Sequence, residues 1–260
     1  MFGRKPKSPA DKVFKEACEL YKKNDYGKAA ELFRQAADLG SAEAMSDMGL
    51  LYYLGQGVPQ VKQYAIEWWT KAAEAGEMKA QHNLGTAYAS GEGVRQDFET
   101  ARKWYEKSAA QGYYKSQYSL YHIYAEGLGV PVDAAKAASY LRKAADQMYP
   151  KAEKELGMLY ISGEGVEADQ KMAEKYLKRA ANHGEESAEE VLREIKDRCR
   201  GSVSPFPVPE PWPSPLSLSV CTWCSSPHRI SLSCPVPIVP LSSSLLHSCS
   251  CLGHPATPDA

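Results

Sequence analysis

The sequence has almost no cysteine ahead of its C-terminal segment. Cys18 is the only one in residues 1–198, so no disulfide can close within that stretch, and a reducing compartment suits it. No run in residues 1–200 approaches the roughly 18 apolar residues that a membrane span needs. The opening Met1-Phe2-Gly3-Arg4-Lys5-Pro6-Lys7 is basic but has no apolar stretch behind it, which argues against a secretory signal. A charge surplus is missing too, since residues 1–200 hold 30 Lys+Arg against 30 Asp+Glu. Phosphate binding needs a clustered basic excess, so nucleic acid is set aside as the main ligand. These absences together lead us to expect a cytoplasmic protein with no membrane segment.

Residues 201–260 lack something different. They contain no Lys, one Arg, one Glu and one Asp, yet 12 of the 17 prolines. Pro205, Pro207, Pro209, Pro211, Pro213 and Pro215 alternate with other residues, a pattern that breaks helices and central strands alike. The expectation is a disordered tail over 201–260. Cys221, Cys224, Cys234, Cys249, Cys251, His228 and His247 are residue types that bind zinc. Their spacing is irregular and nothing hydrophobic supports them, so they read as incidental side chains and no metal site is assigned.

What is present, before the tail, is repetition. Gly55-Gln56-Gly57-Val58 recurs as Gly91-Glu92-Gly93-Val94, Gly127-Leu128-Gly129-Val130 and Gly163-Glu164-Gly165-Val166, each 36 residues after the last. A fixed period of that length marks a helical array. Other columns keep the same interval. Ala44, Ala80, Ser116 and Ala152 form one, and Tyr52, Tyr88, Tyr124 and Tyr160 another. Gly49, Gly85 and Gly157 form a third, in which Tyr121 takes the remaining place. Small residues let neighbouring helices approach and the tyrosines fill the gaps beside them. Asp97, Asp133 and Asp169 are good N-caps for a second helix, and Val61, at the same place in the first unit, is not. Ala65, Ala101, Ala137 and Ala173 lie inside that helix, followed three residues on by Trp68, Trp104, Tyr140 and Tyr176, an aromatic column expected in the core. Gly76, Gly112 and Gly184 close three of the units, and Met148 stands at the fourth place.

The region ahead of the repeats has its own helical faces. Phe14, Ala17, Cys18 and Tyr21 make one, and Tyr26, Ala29, Ala30, Phe33, Ala36 and Ala37 another, closed by Gly40. The chain therefore divides into a flexible leader (1–8), a helical hairpin (9–40), four 36-residue units (41–184), a polar capping helix (185–200) and the tail (201–260). The fold expected is an all-α solenoid of about eleven helices.

These columns resemble the Sel-one-like repeat, a branch of the tetratricopeptide superfamily. Ala80, Leu84, Gly85, Tyr88, Gly91, Gly93, Val94, Asp97, Ala101, Trp104, Tyr105, Lys107, Ala109 and Gly112 match its unit nearly throughout. The likeness covers about 41–184, and 9–40 is similar to an ordinary tetratricopeptide hairpin. The resemblance implies a right-handed superhelix of antiparallel helix pairs whose concave face binds proteins or peptides, in members that commonly act as adaptors. Some bacterial relatives are cysteine-rich and are credited with β-lactam binding or hydrolysis. Those carry a cysteine pair in each repeat, which this chain lacks.

No catalytic constellation emerges. Ser-x-x-Lys, Gly-x-Ser-x-Gly and His-Glu-x-x-His are absent from the sequence, and His82, His122 and His183 share no column. Gly91-Glu92-Gly93 superficially fits a phosphate cradle, but it follows a helix and recurs four times, so it reads as a structural turn. We expect a non-catalytic interaction scaffold without cofactor, with a hydrolase or β-lactam-binding protein as the alternative. The informative positions vary between units while the frame stays fixed, and helical geometry puts them off the buried face. Asn83 is expected to hold a peptide backbone through its amide, Tyr118 and His122 to supply contact area, and Lys154 to supply a charge.

Overall fold

The computed structural model describes residues 8–199, which form eleven α-helices and no strand. They are α1 (Pro9–Lys22), α2 (Tyr26–Asp38), α3 (Ala42–Leu54), α4 (Lys62–Glu74), α5 (Met78–Ser90), α6 (Phe98–Ala110), α7 (Tyr114–Glu126), α8 (Ala134–Asp146), α9 (Pro150–Ser162), α10 (Gln170–Asn182) and α11 (Glu186–Cys199). The leader up to Lys7 and the Pro-rich segment 201–260, with its cysteines and histidines, lie outside the described residues. Helices α3–α4, α5–α6, α7–α8 and α9–α10 are units one to four. Each helix packs on the next in sequence, which makes the chain an all-α solenoid of helix pairs.

Local chemistry sets the helix ends. Ser8 caps α1, accepting from the Asp11 N–H while the Asp11 carboxylate accepts from the Ser8 N–H, and Pro9 occupies the first helical position. Asp97, Asp133 and Asp169 accept from the first turns of α6, α8 and α10. Val61 makes no side-chain cap bond to α4.

The Gly-x-Gly-Val loop turns each first helix into its second. Its first glycine ends the helix in left-handed conformation, as Gly55 does at φ 72°. The loop is held by one backbone bond per unit, from the Val61, Asp97, Asp133 and Asp169 N–H to the carbonyls of Tyr52, Tyr88, Tyr124 and Tyr160, at 2.9–3.0 Å. The second glycine joins units. A Cβ at Gly57 would overlap the backbone of Tyr26, at the start of α2, and one at Gly165 would overlap the Ala134 carbonyl, at the start of α8. Only glycine lets each loop sit against the preceding unit.

The glycines within the first helices play another part. A Cβ at Gly49 would collide with the Trp69 ring, and at Gly85 with the Tyr105 ring. Trp69 fills that space and donates from Nε1 to the Ser46 carbonyl at 3.1 Å. The innermost aromatic column is therefore not the expected one. Trp69, Tyr105, Leu141 and Leu177 are the buried column, while Trp68, Trp104 and Tyr140, one residue earlier, are half-buried at its rim and Tyr176 alone is buried. Lysines three residues on cover those rim rings. Lys71 lies over Trp68 at 5.0 Å, Lys107 over Trp104 at 3.9 Å and Lys143 over Tyr140 at 5.2 Å.

A second seam ties the inner helix to its own outer one in units two, three and four. The Gln111 amide donates to Gln81 at 2.9 Å and to the Gly76 carbonyl at 2.9 Å. Gln147 repeats this with Gln117 at 2.9 Å and Gly112 at 2.8 Å. In unit four the two amides become Glu153 and His183, with Glu153 Oε2 2.7 Å from His183 Nδ1 and Oε1 2.7 Å from Arg179.

A candidate partner-binding face

The two helix rows differ in enclosure. In α5 every residue from Ala80 to Thr86 is buried, whereas α6 buries only Ala101, Tyr105 and Ser108. The first helices thus form the inner row. A sequence difference appears at the residue that starts each of them. Ser41 and Glu77 accept from the first turns of α3 and α5. Tyr113 and Tyr149, at the same places before α7 and α9, make no side-chain cap bond. Giving up such a cap costs about 1 kcal/mol per helix.

The rings at those positions join others from the inner row. Tyr113 packs on His82 at 5.2 Å and on Tyr114 at 5.5 Å, and Tyr114 packs on Tyr149 at 4.9 Å. Tyr149 meets Tyr118 edge-on at 5.3 Å, and Tyr118 meets Tyr121 at 6.0 Å and His122 at 4.8 Å. The result is one continuous strip of rings from α5 across α7 to the start of α9. His82 and Tyr113 are buried, and the remaining rings are half-buried with open edges.

Charge is distributed unevenly along the strip. Burial, then the nearby Glu155 carboxylate, raises the Tyr118 hydroxyl well above its ordinary value. Tyr121 is pushed up to about 12 by burial and by Glu155, Glu164 and Glu126. Tyr149 is pushed up to about 12 by burial, Tyr114 and Glu185. At the other end, burial and the Lys115 ammonium push the His82 imidazole down to about 3, leaving it neutral. Lys115 itself is lowered by burial and by Lys79.

Against this geometry the four expected contact residues fare differently. Tyr118 and His122 lie together in the strip, with His122 Nδ1 2.9 Å from Glu126. Lys154 reaches α11, with its Nζ 3.2 Å from Ser187 and 3.8 Å from Glu185, so its charge is already engaged. Asn83 is not displayed at all. It is 0 % exposed, and neither its Nδ2 nor its Oδ1 has a hydrogen-bond partner. Asp47, at the same place in unit one, is buried as well, so this column is interior in units one and two although it varies between repeats. The residues that sequence reasoning passed over are Tyr113, Tyr114 and Tyr149, while Tyr121 was noticed only as a break in the glycine column. The signal for Tyr113 and Tyr149 was a tyrosine standing where a helix start wants Ser, Thr, Asp or Asn.

Among the described residues no cluster of His, Cys, Asp and Glu is arranged to hold a metal ion, and no helix is long and apolar enough to cross a membrane. A surface hollow of about 1070 Å³ runs along Val166–Glu174 at the start of α10, and it shares no residue with the ring strip.

Comparison with known proteins agrees with this architecture. The family model described as Sel1 repeat matches residues 19–41, 42–77, 79–113, 116–147 and 150–185. Its first segment overlaps all but the start of the hairpin, 9–40, that is similar to an ordinary tetratricopeptide pair. A Sel1 repeat protein from Oxalobacter formigenes is similar at 30% identity over 72% of this chain and 77% of its own, with a TM-score of 0.68. A protective antigen of uropathogenic Escherichia coli, described as displaying an SLR fold, is similar at 34% identity over 65% of this chain, with a TM-score of 0.64. The matched region spans 36% of that antigen's length. No curated protein matches the chain.

Proposed function

Because the chain belongs to the Sel1 repeat family, we propose that it is a non-catalytic adaptor that docks an extended segment of a partner protein along the inner helix row. One observation carries this reading: the unbroken run of half-buried rings over α7 and the start of α9, placed where two helices forgo their caps. Tyrosine offers a large, rigid, amphipathic contact area at small entropic cost, which is why it is enriched among residues that dominate binding energy. The solenoid fixes the spacing of those rings before a partner arrives, so little ordering is left to oppose docking. No bond is made or broken in this mechanism. The same reading has the protein act in the cytoplasm, on proteins rather than nucleic acid.

Full-length protein can be used to select binding peptides from a random library, with hydrogen exchange then mapping the bound complex. Protection is expected in α7 and α9. Protection confined to the outer helices α4, α6, α8 and α10 would remove the inner row as the docking face. Turnover of a chromogenic β-lactam by the same preparation would overturn the non-catalytic reading.

A further inference from the structure

Unit three departs from its neighbours at one inner-row position, and the departure gives the ring strip its charge preference. Tyr121 stands where Gly49, Gly85 and Gly157 stand. In units one and two that glycine is covered by the Trp69 or Tyr105 ring. In unit three the facing residue is the smaller Leu141, itself fully buried. Tyr121 instead packs with Tyr118 and His122, the three rings lying 4.8–6.0 Å apart.

The charged groups that act on the Tyr118 and Tyr121 hydroxyls are all carboxylates. Glu155 of α9, Glu164 of the following Gly-x-Gly loop and Glu126 at the end of α7 all act on Tyr121, and Glu155 and Glu185 act on Tyr118. Glu126 is taken by His122 at 2.9 Å. Lys154, the cation of α9 nearest in sequence to Glu155, is taken by Glu185 and Ser187. Glu155 and Glu164 have no ion-pair partner among the described residues. Ring faces carry a negative quadrupole, so rings and free carboxylates favour the same kind of guest. An acidic or apolar guest would leave the carboxylates uncompensated, while a cation would meet both.

We infer that Tyr118, Tyr121 and His122, rimmed by Glu155 and Glu164, receive a lysine or arginine side chain of the docked segment, so that the partner is basic where it crosses unit three. This rests on docking along the inner row as read above. The rings supply cation–π contact, and the carboxylates supply long-range attraction that strengthens as salt falls.

Fluorescence anisotropy on the full chain tests it with three labelled Gly/Ser nonapeptides, carrying two arginines, two glutamines or two glutamates. The arginine peptide is expected to bind about tenfold more tightly than the glutamine peptide. The glutamate peptide should bind least. Glu155→Gln with Glu164→Gln should erase most of the arginine preference, and Tyr118→Leu should weaken arginine binding, with circular dichroism checking the fold. Equal binding of arginine and glutamine peptides, no binding of the arginine peptide, or an undiminished preference in the charge variant overturns the inference. If library-selected peptides still protect α7 and α9 in that event, only the cationic assignment fails. If they do not, the docking reading fails with it.

Discussion

Units one and two and units three and four are built on the same columns, yet they are finished differently. In the early pair the inner helices are capped by Ser41 and Glu77, and α5 is walled in from Ala80 to Thr86. In the late pair the caps give way to Tyr113 and Tyr149, and the rings on α7 are left half-open. The seam changes as well, but only in unit four, where the amide pairs of units two and three, Gln81–Gln111 and Gln117–Gln147, give way to the Glu153 carboxylate held by His183 and Arg179. Repetition therefore fixes where side chains stand, and the unit-by-unit substitutions decide which of them meet solvent.

The largest expected difference between the halves lies in that seam. Glu153 is 0 % exposed and holds both Arg179 and His183, each about a third exposed. Breaking a buried pair by removing one partner costs roughly 3–5 kcal/mol, but Arg179 and His183 keep part of their hydration, so Glu153→Ala should cost about 2 kcal/mol in a urea melt. Glu153→Gln combined with His183→Gln rebuilds the amide pair of units two and three. It should return to within about 1 kcal/mol of the parent. A double variant as unstable as Glu153→Ala would show that unit four needs charge there and that its seam is not a version of the others.

Acid should probe the early half almost as strongly. His82 is buried against Ser116 Oγ at 3.0 Å, and burial with the nearby Lys115 lowers its pKa from 6.5 to about 3. The unfolded chain therefore takes up a proton that the folded chain refuses. Stability from this group is fully present above about pH 6.5 and is lost progressively as the pH falls toward 3. At pH 5 the loss is about 2 kcal/mol relative to pH 7.5. His82→Gln should flatten that part of the stability profile, measured as urea midpoints between pH 5 and 7.5. An unchanged slope would show that His82 is not the group responsible.

Asn83 offers a smaller test of opposite sign. Its amide is enclosed with no partner on either polar atom. Replacing a buried, unpaired amide by an apolar group of similar shape gains about 1–2 kcal/mol. Asn83→Leu is thus expected to raise the melting temperature by a few degrees. A fall instead would show that the amide is satisfied in solution and belongs to the frame of unit two.

Much of this was legible in advance. The 36-residue period, the Asp caps at Asp97, Asp133 and Asp169 and the missing cap at Val61 depend on local chemistry, and each stands where the sequence puts it. What escaped were matters decided by a neighbouring unit. Trp68 and Trp69 are adjacent aromatics, and only the glycine opposite, Gly49, determines that Trp69 goes in and Trp68 stays at the rim. Asn83 varies between repeats as a surface residue would, but periodicity reports a helix's face toward its hairpin partner and not its enclosure by the units on either side. The ring strip escaped because its members come from five columns and meet only when α7 and α9 are stacked.

The smallest expected effect concerns how units end. Gly40, Gly76, Gly112 and Gly184 close their helix pairs at φ between 90° and 94°, and Met148 takes the corresponding place at φ 58°. A left-handed residue with a Cβ carries roughly 1–2 kcal/mol of strain. Met148 is 57 % exposed, so its side chain returns little packing for that strain. Part of the relief from Met148→Gly is cancelled by glycine's greater freedom in the unfolded chain, leaving a net gain of about 0.5–1 kcal/mol. A slightly higher urea midpoint with unchanged slope would express it. Because Met148 directly precedes Tyr149, the same variant should be tested for peptide binding. Gained stability with weakened binding would mean that the left-handed methionine sets the angle at which Tyr149 enters the ring strip, and that the late half keeps the strain for that purpose.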